Sequence, residues 1–146
     1  MNPIKTIARI ADKLSEPKEV YAHCDVPCGI YETDTITHSV ATIRAMTEKL
    51  LELQHPKENH VQHVNTAVRM ISTKEEFSQK CKTEILILWT DYFKPEHLEK
   101  FPELHETVWK ATKLCSEIKR VVDIKKVEEL EKAVDEIKRM FDESKK

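Results

Sequence analysis

Nine residues near the start of this chain hold most of the chemistry its side chains could perform: His23-Cys24-Asp25-Val26-Pro27-Cys28-Gly29-Ile30-Tyr31. The stretch has neither helical nor strand periodicity, and it contains the chain's only glycine. Two thiols and an imidazole this close together suit a metal ion. A closed zinc site asks for a tetrahedron of side-chain ligands, so His38, His60 or His63 would have to complete the set. A second solution uses the backbone. If the chain began at His23, the free amine, the Cys24 amide nitrogen and the Cys24 thiolate would form two fused five-membered chelate rings, and Cys28 would fill the fourth corner. A planar set of two nitrogens and two sulfurs suits Ni(II), which prefers tetragonal geometry, whereas zinc gains nothing from it.

The His23 imidazole belongs to the same residue as that amine and can reach an axial position, where a fifth bond favours Ni(III). Thiolates and an anionic amide push electron density onto the metal and lower its potential toward one-electron cycling. Pro27 stiffens the return path of the loop, and Gly29 permits a sharp exit without a Cβ clash.

The rest of the chain must position this loop. With 146 residues, 40% hydrophobic and 34% charged, it has room for one domain and one core. The longest apolar run, Ile85 to Trp89, is far shorter than the roughly 20 residues of a membrane span. A formal charge of -2 creates no basic field for nucleic acid or anionic lipid, so neither is an expected partner. A single glycine argues against tight hairpins and Gly-rich phosphate loops. Helix remains.

Residues 1–22 read as a separate leader. Ile4, Ile7, Ile10 and Leu14 recur at helical spacing with Lys5, Arg9 and Lys13 between them, and Pro17 closes the pattern. Charges interrupt every turn, unlike the continuous apolar stretch of a secretory signal, so a cytoplasmic location is expected. Beyond the loop, Ile36, Val40, Ile43, Thr47, Leu50 and Leu53 mark one face of a helix ended by Pro56. Val61, Val64, Val68 and Ile71 open a second stripe. Ser72 with Glu75, or Thr73 with Glu76, could be a capping box that restarts a helix toward Trp89. Pro95 and Pro102 bracket a connector. A third stripe follows in Leu104, Val108, Ala111, Cys115, Ile118 and Val122, and Asp123 is placed to cap a fourth helix bearing Val127, Leu130, Val134, Ile137 and Phe141. Four amphipathic helices with short connections predict an all-α, antiparallel four-helix bundle over residues 35–142, preceded by the irregular hook at 23–31. Cys81 and Cys115 fall within helical pattern and read as small core residues.

The string from His23 to Tyr31 resembles the nickel hook found at the start of mature nickel-containing superoxide dismutases. A second block, Leu88-Trp89-Thr90-Asp91-Tyr92-Phe93-Lys94-Pro95 followed by Phe101-Pro102-Glu103-Leu104-His105, resembles the same family's internal motif. The resemblance covers nearly everything after Ala22. It implies a four-helix-bundle subunit, usually a homohexamer, that disproportionates superoxide using one Ni(II)/Ni(III) centre per subunit. By that resemblance His23, Cys24 and Cys28 are the metal ligands, Asp25 and Tyr31 shape the substrate's approach, and Asp91, Tyr92 and Lys94 lie near a hook, that of a neighbouring subunit. A protease must remove the leader, because the His23 nitrogen is only a peptide amide while Ala22 remains attached.

The sequence also departs from the family pattern. No glutamate lies between Thr33 and Ser39 to support the hook imidazole, and the supporting arginine falls near Lys74 to Phe77; Arg69 matches another family arginine. A rival reading is a helical interaction protein whose Cys24 and Cys28 bind structural zinc or form a redox disulfide. Packing is the plain account of Trp89, Tyr92 and Phe93, solvation that of His60 and His63, and spacing gives His97 and His105 no role. The charges from Lys125 to Lys146 read as the outer face of the last helix with a frayed tail.

Overall fold

The computed structural model describes residues 29–54 and 59–146. His23, Cys24, Asp25, Cys28 and the leader lie outside them. The described elements are helices: α1 (Asp34–Leu51), α2 (His60–Ile87), a π-helical turn (Leu88–Tyr92), the short α3 (Pro95–Lys100), α4 (Leu104–Arg120) and α5 (Ile124–Ser144). The four long helices pack as the expected bundle.

Their buried faces follow the sequence stripes closely in three cases. Ile36, Val40, Ile43 and Thr47 of α1 are buried. So are Leu104, Val108, Ala111, Cys115 and Ile118 of α4, and Val127, Leu130, Val134, Ile137 and Phe141 of α5. Each fully buried large apolar side chain contributes about 1.5–3 kcal/mol by leaving water. Asp123 caps α5, its carboxylate accepting the Lys125 backbone N–H at 2.9 Å. The helix then runs to Ser144, so the tail expected to fray is mostly helical. Arg44 joins α1 to α5 by a bidentate pair with Glu131. Cys81 and Cys115 are both fully buried. The Cys81 thiol is pushed well up by its hydrogen bond to Cys115 and by burial, which makes it an inert packing group.

The second stripe departs from expectation. Residues 60–87 form one continuous helix, and the Ser72 and Thr73 boxes do not restart it. No proline or glycine interrupts this stretch, and a box sequence cannot stop a helix whose backbone ladder is intact. Val61, Val64, Val68 and Ile71 do not enter the core: they are 80%, 43%, 53% and 37% exposed. The buried residues of α2 are Lys74, Ser78, Cys81 and Ile85, all in its second half. The first half extends past the end of α4, which meets α2 at the level of Lys74. Val122, assigned to the third stripe, lies beyond the end of α4 and is also exposed.

The Pro95–Pro102 connector holds a helix of its own. Lys94 donates its backbone N–H to His97 Nδ1 at 3.1 Å, so the His97 side chain reaches back to close the start of α3. Phe101 is buried beneath this segment, under the Lys100 ammonium and the Arg139 guanidinium.

Candidate metal centre

Gly29 leads into the bundle with φ +92°, a left-handed conformation that a residue with a Cβ adopts only under strain. Among the described residues nothing stands within 4 Å of where a Cβ would lie, so it is the backbone conformation that favours glycine here. The left-handed turn fits the sharp exit expected of Gly29, whereas the Cβ clash expected there has no partner among the described residues. Two residues on, Tyr31 is 8% exposed. Its ring lies 5.5 Å from that of Tyr92, and its carbonyl accepts the Lys145 ammonium at 3.3 Å. Thr33 accepts the Lys138 ammonium at 3.1 Å. The base of the hook is thus fastened to the end of α5 before α1 begins.

The second motif arrives at the same place because α2 ends in a π-turn. Phe93 N–H bonds the Leu88 carbonyl at 3.0 Å, spanning five residues, and the widened turn re-aims the side chains that follow. Tyr92 is enclosed by Tyr31, Phe141 at 4.7 Å, Phe93 at 5.2 Å and a stacked His97 at 5.7 Å. Its hydroxyl meets Ser144 Oγ at 2.7 Å. Asp91 is half-buried and Lys94 exposed on the same segment. Trp89 donates its indole N–H to His105 Nδ1 at 2.8 Å, so His105 has a partner that spacing did not suggest.

The structure therefore brings Tyr31 and Tyr92 of one chain together, so Tyr92 packs against its own chain's Tyr31 rather than serving only the neighbouring subunit's hook as the resemblance implied; Asp91 and Lys94 adjoin it in sequence. Sequence reasoning missed Ser144, Lys145 and Lys138. Their only signal was position in the last turns of an amphipathic helix, where hydroxyls and ammonium groups are ordinary.

The stretch from Lys74 to Phe77, where the resemblance implies an imidazole-supporting arginine, holds none, and Lys74 serves a different purpose. It is 1% exposed and donates to the carbonyls of Ile118, Lys119 and Val121, closing the C-terminal end of α4. Burial holds its ammonium below the usual lysine range. Phe77 meets the His38 ring edge-on at 5.9 Å.

Among the described residues no three His, Cys, Asp or Glu side chains are grouped to hold a metal. His60 and His63 stand at the start of α2, whereas Gly29 and Tyr31 enter beside its far end. Some 25 residues of helix rising about 1.5 Å each separate the two ends, leaving His38 as the histidine of that trio nearer the hook.

Comparison with known proteins agrees with the family resemblance and with the helical bundle. The family described as nickel-containing superoxide dismutase matches residues 18–145. A superoxide dismutase [Ni] of Streptomyces coelicolor is 34% identical over 135 residues, 92% of this chain and 97% of that protein. The one from Streptomyces seoulensis is 33% identical over the same shares. Among solved structures, a native nickel superoxide dismutase superposes with a TM-score of 0.73 at 31% identity, covering 85% of this chain and all of that one. The zinc or disulfide interaction protein is accordingly not favoured. With a matched region that takes in both motifs and all four long helices, this chain belongs to the nickel-containing superoxide dismutase family.

Proposed function

We propose that this chain, freed of residues 1–22, disproportionates superoxide to oxygen and hydrogen peroxide at a nickel centre held by its first residues. The observation that carries the reading is the donor set itself: His23, Cys24 and Cys28 in a loop that glycine returns to the bundle beside Tyr31 and Tyr92. The His23 amine and imidazole, the Cys24 amide and thiolate, and the Cys28 thiolate would hold the ion. Bound there, one nickel per chain supplies a one-electron Ni(II)/Ni(III) couple that takes an electron from one superoxide and gives it to another. Two superoxide ions and two protons become one oxygen and one hydrogen peroxide.

The chain's own residues do the rest. Asp25 and Tyr31 border the approach, and the packed rings of Tyr31, Tyr92 and Phe141 exclude bulk water from its floor. Asp91, Tyr92 and Lys94 complete the surroundings, with the exposed Lys94 ammonium offering an anion the nearest positive charge on that segment. Activation depends on the terminus: an amide nitrogen bonded to Ala22 cannot act as an amine donor.

Assembly and location complete the proposal. Val61, Val64, Val68 and Ile71 form a one-sided apolar ridge on α2 that continues to Val121 and Val122, a face that supports a homo-oligomer, by resemblance a hexamer. The charged leader supports a cytoplasmic site of processing by a protease. No described helix is long and apolar enough to cross a membrane.

The test compares protein beginning at His23 with the full 146-residue chain, each with and without nickel. Dismutation, together with a rhombic low-spin Ni(III) electron paramagnetic resonance signal, is expected only from the trimmed, nickel-loaded form. Active, nickel-loaded protein whose intact mass still includes residues 1–22 would refute the requirement for processing. Trimmed, nickel-loaded protein without dismutation would refute the function.

A further inference from the structure

The last turn of α5 reaches the hook's surroundings through one hydroxyl whose hydrogen bonding is fully determined. Ser144 has a single proton to donate, and its Oγ donates to the Phe141 carbonyl at 2.7 Å. The 2.7 Å contact between Ser144 Oγ and the Tyr92 hydroxyl must then run the other way, with Tyr92 as donor. Rings on several sides fix Tyr92, so rotation about its C–O bond is the freedom that remains.

We propose that Ser144 is a positioning residue for the superoxide approach: by taking the Tyr92 proton it leaves the Tyr92 oxygen only lone pairs to offer, beside Tyr31. The proposal rests on the reading of Tyr92 as part of that approach. An oxygen whose proton is committed elsewhere offers an incoming anion only lone pairs. It holds water by accepting from it, and small anions are disfavoured at that spot. Lys145 and Lys138, fastened to Tyr31 and Thr33 from the same helix end, keep the base of the hook in register with this arrangement.

The experiment uses Ser144→Ala, Ser144→Thr, Tyr92→Phe and the Ser144→Ala/Tyr92→Phe double variant. Azide serves as the small-anion probe of dismutation by the trimmed, nickel-loaded protein. Freeing the Tyr92 proton should make azide inhibit about threefold to tenfold more tightly in Ser144→Ala, the worth of one net hydrogen bond. Ser144→Thr, which keeps the hydroxyl, should restore the original value. In the Tyr92→Phe background Ser144→Ala should change nothing further.

A second readout needs no nickel. In the full chain, the Tyr92 Fermi doublet in ultraviolet resonance Raman, isolated by subtracting the Tyr92→Phe spectrum, should report a donor phenol, and Ser144→Ala should lose that character. An unchanged doublet, or an azide effect that persists without the Tyr92 hydroxyl, would overturn the proposal. If Tyr92→Phe alters inhibition while Ser144→Ala does not, only the role of Ser144 falls. If Tyr92→Phe itself leaves inhibition untouched, the placement of Tyr92 beside the approach falls with it.

Discussion

Lys74 gives the sharpest stability test because its side chain is buried and its three hydrogen-bond acceptors are known. Replacing it with Met keeps most of the stem volume and removes the ammonium, so the cavity left behind is small. The carbonyls of Lys119 and Val121 lie near the surface and can take water in exchange. The Ile118 carbonyl bonds Lys74 within a buried contact, and leaving such an acceptor without a donor costs about 1–3 kcal/mol. Relief of the buried charge offsets part of the loss. A net destabilisation of about 2 kcal/mol is expected for Lys74→Met. Lys74→Ala also removes roughly three buried methylenes at about 0.8 kcal/mol each, bringing its loss to about 4 kcal/mol. Thermal midpoints should fall by roughly 6 °C and 12 °C, read at one fixed protein concentration. The pH dependence supplies an independent sign. Because burial lowers the folded-state value of Lys74 below the ordinary 10.5, the unfolded chain binds more protons between those two values. The wild-type chain should therefore gain stability relative to Lys74→Met as pH rises through that window. A Lys74→Met chain within about 0.5 kcal/mol of wild type would refute the capping argument, and a gap that narrows with rising pH would refute the argument from burial.

Two further outcomes concern the ends of helices and the open face of α2. Asp123→Ala removes the side-chain acceptor at the start of α5 and should cost about 0.5–2 kcal/mol in urea unfolding, with Asp123→Asn recovering most of it. Val64→Glu with Val68→Glu places two carboxylates on the exposed ridge. Light scattering should show a smaller assembly while circular dichroism stays helical; an unchanged mass would remove that ridge from the subunit contact.

How far the sequence could be read depended on the range of the interaction concerned. Three stripes were legible because α1, α4 and α5 each bury one face along most of their length, and periodicity records that directly. The stripe from Val61 to Ile71 has the same spacing and lies outside the monomer's core. Periodicity shows that a face is apolar and is silent on whether this chain or another covers it. Lys74 was unreadable for the opposite reason. A lysine on a helix is usually solvated, and its burial follows from three carbonyls at the end of a helix more than forty residues away in sequence. The π-turn was equally hidden, since Leu88-Trp89-Thr90-Asp91-Tyr92 continues a helical composition and the extra residue in the turn is a matter of hydrogen bonding.

The same distinction explains why the sequence proposes a metal-ligand set while it proposes little about the surroundings. A chelate built from an amine, the next amide and two thiolates is fixed by covalent connectivity within His23 to Cys28, so spacing is nearly sufficient to specify it. The residues packed at the entry to the bundle come from three segments: the π-turn bearing Tyr92, the entry at Tyr31, and the last turn of α5 with Ser144 and Lys145. A family member can therefore keep its hook unchanged while altering its chemistry through residues that no hook motif contains. Here Thr33 to Ser39 lacks the family's glutamate, and Lys74, in the region of its arginine, is committed to α4. Neither position therefore offers the support that the resemblance implies for the proposed His23 ligand. The variants that probe it belong on α1 near His38 and on the segment from Asp91 to Lys94, rather than at Lys74.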